Sequence, residues 1–184
     1  TLFYNSGFSG FPIPRWGLRA RQKIGKSLSL TVAAFEVNAF RAQTGAGWQL
    51  APRFDSFVLP VELGWTSGQG ANGLPGLLRV GGLIDTSDRA DVRDDAQGDS
   101  YALSGLPPAL RKERWSAWVM AEKMVVRFGP GDRGLSLFGT VTRSDYHTAR
   151  VPWFVSGGFV ARGLWDSRPK DNFGLGLVHA RVNP

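Results

Sequence analysis

Apolar and polar residues alternate with a period of two along most of this chain. In WGLRARQKI, Trp16, Leu18, Ala20 and Ile24 fall on one side, and Arg19, Arg21 and Lys23 on the other. SLSLTVAAFEVN continues the pattern, with Leu28, Leu30 and Val32 opposed to Ser29 and Thr31. FVLPVELGW sets Phe57, Leu59, Val61, Leu63 and Trp65 against Glu62. Such alternation marks strands with one apolar and one polar face. The same reading predicts strands over about 75–86, 114–129, 134–144, 151–164 and 171–183, about eight in all. Each is near the length of about ten residues that crosses a bilayer obliquely. No stretch combines helical periodicity with caps. The expected fold class is all-β and antiparallel.

Two segments break the alternation. Phe35 and Val37 switch face relative to Leu28 and Leu30, which asks for a β-bulge or a rim position. Around Glu122, the run Met120, Met124 and Val126 reads as an apolar face that would carry the glutamate with it unless a bulge shifts the parity.

GQGANGLPGLLRVGGLID contains Gly68, Gly70 and Gly73 in the order G-x-G-x-x-G after a strand. A phosphate cradle would need a helix to open at the third glycine. Gly76, Gly81 and Gly82 weaken any helix there, and Leu78, Val80 and Ile84 oppose Arg79 and Asp85 as in a strand. The motif is expected to be a turn between two strands. The connections alternate in length. Gly25-Lys26, the glycine turn and GPGDRG are short; about 39–55 and about 86–113 are long. Outer-membrane barrels have that asymmetry, with short periplasmic turns and long external loops. Trp16, Trp65, Trp115, Trp153 and Trp165 fall near strand ends, where interfacial rings belong. A soluble antiparallel sandwich, as in a carbohydrate-binding domain, also alternates and also uses tryptophan, so periodicity alone leaves that alternative open.

Composition narrows the chemistry. The chain has 184 residues, a formal charge of +7, 24 glycines, seven tryptophans and no cysteine. Thiolate chemistry is excluded. His147 in SDYHTAR and His179 are the only histidines and lack a ligand cluster in sequence, so neither metal nor cofactor is expected. Asp88, Asp91, Asp94, Asp95 and Asp99 lack the spacing of a calcium loop and read as a solvated external loop. No nucleophile elbow or Ser/His/Asp set is present, so the chain is not expected to be an enzyme. The positive charge raises nucleic-acid binding as a second reading, but basic residues spread through all strands argue against a nucleic-acid face.

The blocks FYNSGF, PRWGLRARQKIGKSLSLTVAAFEVN, VELGWTS, LPGLLRVGGLIDTS, GLSLFGTVTRSD and GGFVARGLWDSRPKDNFGLGLVHARV resemble, in order, the carbohydrate-selective porin (OprB) family of Gram-negative outer membranes. The resemblance implies a sixteen-stranded transmembrane β-barrel and passive diffusion of sugars across the bacterial outer membrane. Members of that family are more than twice this length. Residues 1–184 are therefore expected to form a single barrel segment, a central portion of a longer porin. Sugars as solute and outer-membrane lipid are the expected partners, and a homo-oligomer is left open. A channel needs a wet lumen with groups that exchange hydrogen bonds with a passing solute. The candidates are Arg19, Arg21, Lys23, Glu62, Arg79, Asp85, Lys123 and Arg162, with the two carboxylates placed on neighbouring strands and able to pair with the cations.

Overall fold

The computed structural model describes residues 16–37, 54–70 and 73–183. Eight strands form one antiparallel sheet in which chain neighbours are spatial neighbours. They are β1 (Gly17–Ile24), β2 (Leu28–Val37), β3 (Ser56–Ser67), β4 (Gly76–Asp85), β7 (Arg114–Arg127), β8 (Gly134–Ser144), β9 (Trp153–Arg162) and β10 (Asn172–Arg181). Between β4 and β7 the long connection folds into a separate hairpin, β5 (Arg89–Asp95) with β6 (Pro108–Arg111), joined through a one-turn helix α1 (Tyr101–Ser104). The eight long strands match the alternation; the hairpin and α1 carry no comparable pattern. Among the described residues β1 and β10 are the open margins of the sheet.

The pairing fixes the two faces. Glu62 lies opposite Thr31 on one side and Gly81 on the other, and Val61 lies opposite Val32 and Gly82. Paired residues share a face, so the polar and apolar sets of each strand join into continuous surfaces. The apolar surface is the exposed one. Leu59, Val61, Leu63, Val80, Ile84, Val119, Leu137 and Val141 are each between 37% and 52% exposed. The polar surface holds the buried groups, among them Asp85, Ser116, Thr142 and Ser144. A soluble sheet has the opposite arrangement.

Three local features explain where the alternation misleads. The β2–β3 register runs without a shift, so Phe35 and Val37 are not displaced by a bulge. They stand at the end of β2 on the polar side, where Val37, Val58 and Leu83 form an apolar cluster with Phe35 and Trp118 packed against it. In β7, Glu122 pairs with Leu77 and Phe138, and Met120 with Arg79 and Thr140. Met120, Glu122 and Met124 therefore share the polar face, not the apolar one. A register shift between Met124 and Val126 then returns Val126 to the apolar side, opposite Leu135. Pro60 lies inside β3, and the β2–β3 ladder lacks the Ala33 and Ala34 pairs beside it, as a residue without an N–H requires.

The short connections lie at one end and the hairpin at the other. The glycine motif is a turn, as expected. Gly68 has φ +64°, and a Cβ there would fall 2.0 Å from the Leu74 carbonyl oxygen, so only glycine fits. Gly73 N–H bonds to the Gly70 carbonyl, and β4 follows instead of a helix.

Candidate functional site

The polar face places the candidates in rows. Arg21 pairs with Thr31, Thr31 with Glu62, Glu62 with Gly81, and Gly81 with Trp118. The next row, toward the short turns, runs Lys23, Ser29, Gly64, Arg79 and Met120. Arg19 faces Ala33 one step the other way. Small residues therefore separate the β1 cations from Glu62 and Arg79, leaving space above the backbone.

Glu62 and Arg79 meet, with Nη1 to Oε1 at 3.6 Å and the side chains 25% and 42% exposed. Trp118 completes the group by donating its Nε1–H to Glu62 Oε2 at 3.1 Å. Gly81 makes that possible. A Cβ at Gly81 would lie 2.5 Å from the Trp118 ring, so the indole rests on bare backbone. The result is a carboxylate held by an indole on one side and a guanidinium on the other, with both charged groups partly open to solvent. Such a group offers acceptors, donors and a flat ring face together. Trp118 is missing from the sequence-based candidates because a mid-strand tryptophan carries no mark of which way it points.

The other candidates separate. Arg19, Arg21 and Lys23 are exposed along β1, with Arg21 Nη2 3.4 Å from Ser29 Oγ. Arg162 is on the polar face at the turn end of β9, with Asp132 at 3.6 Å, and is not brought to Glu62. Lys123 differs from expectation. It pairs with Gly76 and stands on the apolar face, because Glu122 takes the polar-side position beside it. Its Nζ reaches back to the turn and donates to the Leu74 carbonyl at 2.7 Å, keeping the charge out of the apolar band.

Asp85 is on the polar face as expected, but it is not open to a solute. Its side chain has no exposed area. Oδ1 accepts from the Ser87 N–H at 3.0 Å and hydroxyl at 2.6 Å. Oδ2 takes Arg114 Nε at 2.8 Å and Nη2 at 2.7 Å, with Arg89 Nη2 at 3.4 Å. Asp85 thus clamps the root of the hairpin to the start of β7.

The aspartate-rich connection is also more ordered than a solvated loop. Asp91 and Asp95 are each 2% exposed. Asp91 accepts from the Arg93 and Asp94 N–H groups, from Arg111 Nε at 2.7 Å, and lies 3.1 Å from His147 Nδ1. Burial pushes the Asp91 carboxyl up, but the two N–H groups and Arg111 outweigh it and hold it below the ordinary carboxylate value. Asp91, Asp94 and His147 do converge, a grouping invisible in sequence because more than fifty residues separate His147 from the two aspartates. Arg111 already occupies the Asp91 oxygen that a cation would need, so the grouping reads as a charge network joining the hairpin to the β8–β9 connection.

Comparison with known proteins accords with this geometry. Porin B of Pseudomonas aeruginosa is 34% identical over 185 residues, covering all of this chain and 40% of that protein. The putative porin QuiX of Acinetobacter baylyi is 26% identical, with 39% of its length covered. The high-pH structure of Pseudomonas putida OprB superposes with a TM-score of 0.84 at 34% identity, over 98% of this chain and 43% of that one. The low-pH structure of that protein gives 0.60 at 26% identity, over 96% and 44%. The chain spans less than half the length of each of these relatives. The family model for the carbohydrate-selective porin, OprB family, matches residues 1–184, and the chain belongs to that family.

Proposed function

We propose that this chain forms one sector of a larger outer-membrane barrel through which sugars diffuse passively, with the polar face lining the water-filled lumen. The observation that carries the reading is the inverted sheet. Its exposed face is apolar, while Glu62, Arg79 and Trp118 are grouped on the other. Only lipid makes exposure of a wide apolar sheet face favourable. A soluble sugar-binding sandwich, the other reading of the alternation, would pack that face inward. Among the described residues β1 and β10 have no further strand beside them, which supports the sector reading, since an open edge in lipid leaves N–H and C=O groups without partners.

In this reading Glu62 accepts hydrogen bonds from sugar hydroxyls, Arg79 and Arg21 donate to them, and the Trp118 ring covers a sugar's apolar face. Each contact exchanges readily with water, so binding is weak enough to release the solute. Arg19, Lys23 and Arg162 extend the cationic lining. The chemistry is that of a channel, with no bond made or broken.

The test is solute entry into liposomes carrying the full-length protein. Wild-type channels should admit a hexose faster than an amino acid of similar size. Glu62→Gln and Trp118→Ala should bring the two rates together while leaving the barrel folded. Equal rates in the wild type would remove the selectivity from this reading.

A further inference from the structure

Two arginines are out of place on the apolar face. Arg143 near the end of β8 pairs with Trp153 at the start of β9, and Trp153 pairs with Arg181 at the end of β10. All three side chains point to the apolar side, since Arg143 also pairs with Ala117, in line with Val119 opposite Val141. His179, opposite Val155, joins the same side one step nearer the sheet centre. The Arg143 guanidinium lies over the Trp153 ring, 6.0 Å from its centroid. Both arginines are exposed, and among the described residues neither has a carboxylate partner. The apolar face of β7 through β10 carries no aspartate or glutamate at all. Asp145, next after β8, is engaged by the Thr148 hydroxyl and the His147 N–H.

This row stands at the end of the sheet that carries the hairpin and the β8–β9 connection. Elsewhere cations manage the apolar face by leaving it, as Lys123 does at the opposite end. Arg143 is instead held in place by an aromatic ring. Two guanidiniums two strands apart are roughly 10 Å from each other at the backbone. Both can reach one phosphate group or two adjacent ones. Guanidinium binds phosphate by paired hydrogen bonds, strongly where water is scarce. A ring at the water–lipid boundary fixes the depth.

We infer that Arg143, Trp153 and Arg181 form a binding site for the phosphorylated headgroup of the outer-leaflet glycolipid. The inference rests on the proposed barrel reading, with the long hairpin connection outward as in outer-membrane barrels. It assigns the outer surface of the barrel a ligand independent of the solute in its lumen.

The experiment uses the full-length porin, purified in detergent, with bis-phosphorylated lipid A as the probe and native mass spectrometry as the readout. Heat-modifiable gel migration reports folding, and liposome entry of a hexose reports the channel. Wild-type protein should retain lipid A, and Arg143→Ala with Arg181→Ala should weaken retention about tenfold or more. Hexose entry and gel migration should be unchanged, and Arg168→Ala, in the opposite turn, should retain lipid A as the wild type does. Retention by the double variant equal to wild type would overturn the site. So would equal retention of dephosphorylated lipid A or of phosphatidylglycerol. A wild-type protein that binds lipid A but admits no sugar would instead overturn the channel reading and leave the lipid site standing.

Discussion

The two ends of the sheet use arginine for opposite purposes. At the hairpin end, guanidiniums meet buried carboxylates: Arg114 and Arg89 on Asp85, Arg111 on Asp91. At the turn end they meet backbone carbonyls, and the carboxylates they reach, Asp132, Asp166 and Asp171, are exposed ones. Arg127 spans from Gly131 to Gly73, and Arg133 donates twice to Gly163 and once to the exposed Asp166. Long connections need specific long-range partners to stay in place. Short turns have few side chains of their own, and their orphaned carbonyls are the groups that require satisfaction. One end is therefore stapled by buried charge pairs, and the other by charge-to-dipole clips with exposed ion pairs beside them.

The largest effect should come from breaking the first kind of staple. Asp85→Ala leaves Arg114, 14% exposed, facing Arg89 without its counter-charge. A loss of about 3–5 kcal/mol is expected, read from urea unfolding of the full-length protein in vesicles. Arg127→Ala removes two charged hydrogen bonds to carbonyls at the turn end, for about 2 kcal/mol. If it cost as much as Asp85→Ala, the contrast between the ends would fail. Ser87→Ala removes one donor from Asp85 but leaves both arginines, and should cost about 1 kcal/mol.

Acid gives the smallest effect and the sharpest test of the contrast. The folded Asp91 carboxyl lies below its ordinary value of 3.8. Its contribution is complete above pH 3.8 and is lost as the pH falls through the lower, folded value. Amide exchange over β5 and β6 should therefore rise in strong acid, relative to the 128–133 turn, whose Arg127 clips involve no carboxylate. Parallel loss of protection at both ends would show that the whole sheet opens together.

The same division governs what the sequence could reveal. Alternation found the eight long strands and put Glu62 and Arg79 on one face, because a period of two survives wherever pairing is regular. It could not say that Asp85 would be sealed by Ser87 and two arginines. The charges in 86–113 read as a solvated loop, since charge density does not tell which carboxylates will find partners. Strict alternation puts Lys123 on the polar face when Met120 and Met124 are read as apolar-face residues. Methionine fills irregular space on either side of a sheet, so its presence does not mark the membrane face. Trp118 escaped notice for a related reason: its place depends on Gly81, which is remote in sequence and distinguished only by what it lacks.

The shift after Met124 acts as a parity switch for the tail of β7. One unmatched residue, Val125, lets Met124 and Arg127 both take the polar side, although they stand three positions apart and strict alternation would oppose them. Removing the shift by inserting a residue between Leu135 and Ser136, opposite Val125, would therefore do more than lengthen β8. It would exchange the two surfaces from Val126 onward, turning Arg127 to the apolar side and pulling its clips from Gly73 and Gly131, whereas deleting Val125 would leave a regular ladder with both faces as they are. The side that Arg127 takes, and with it the integrity of two separate turns, thus depends on a difference of one residue in the count of two neighbouring strands.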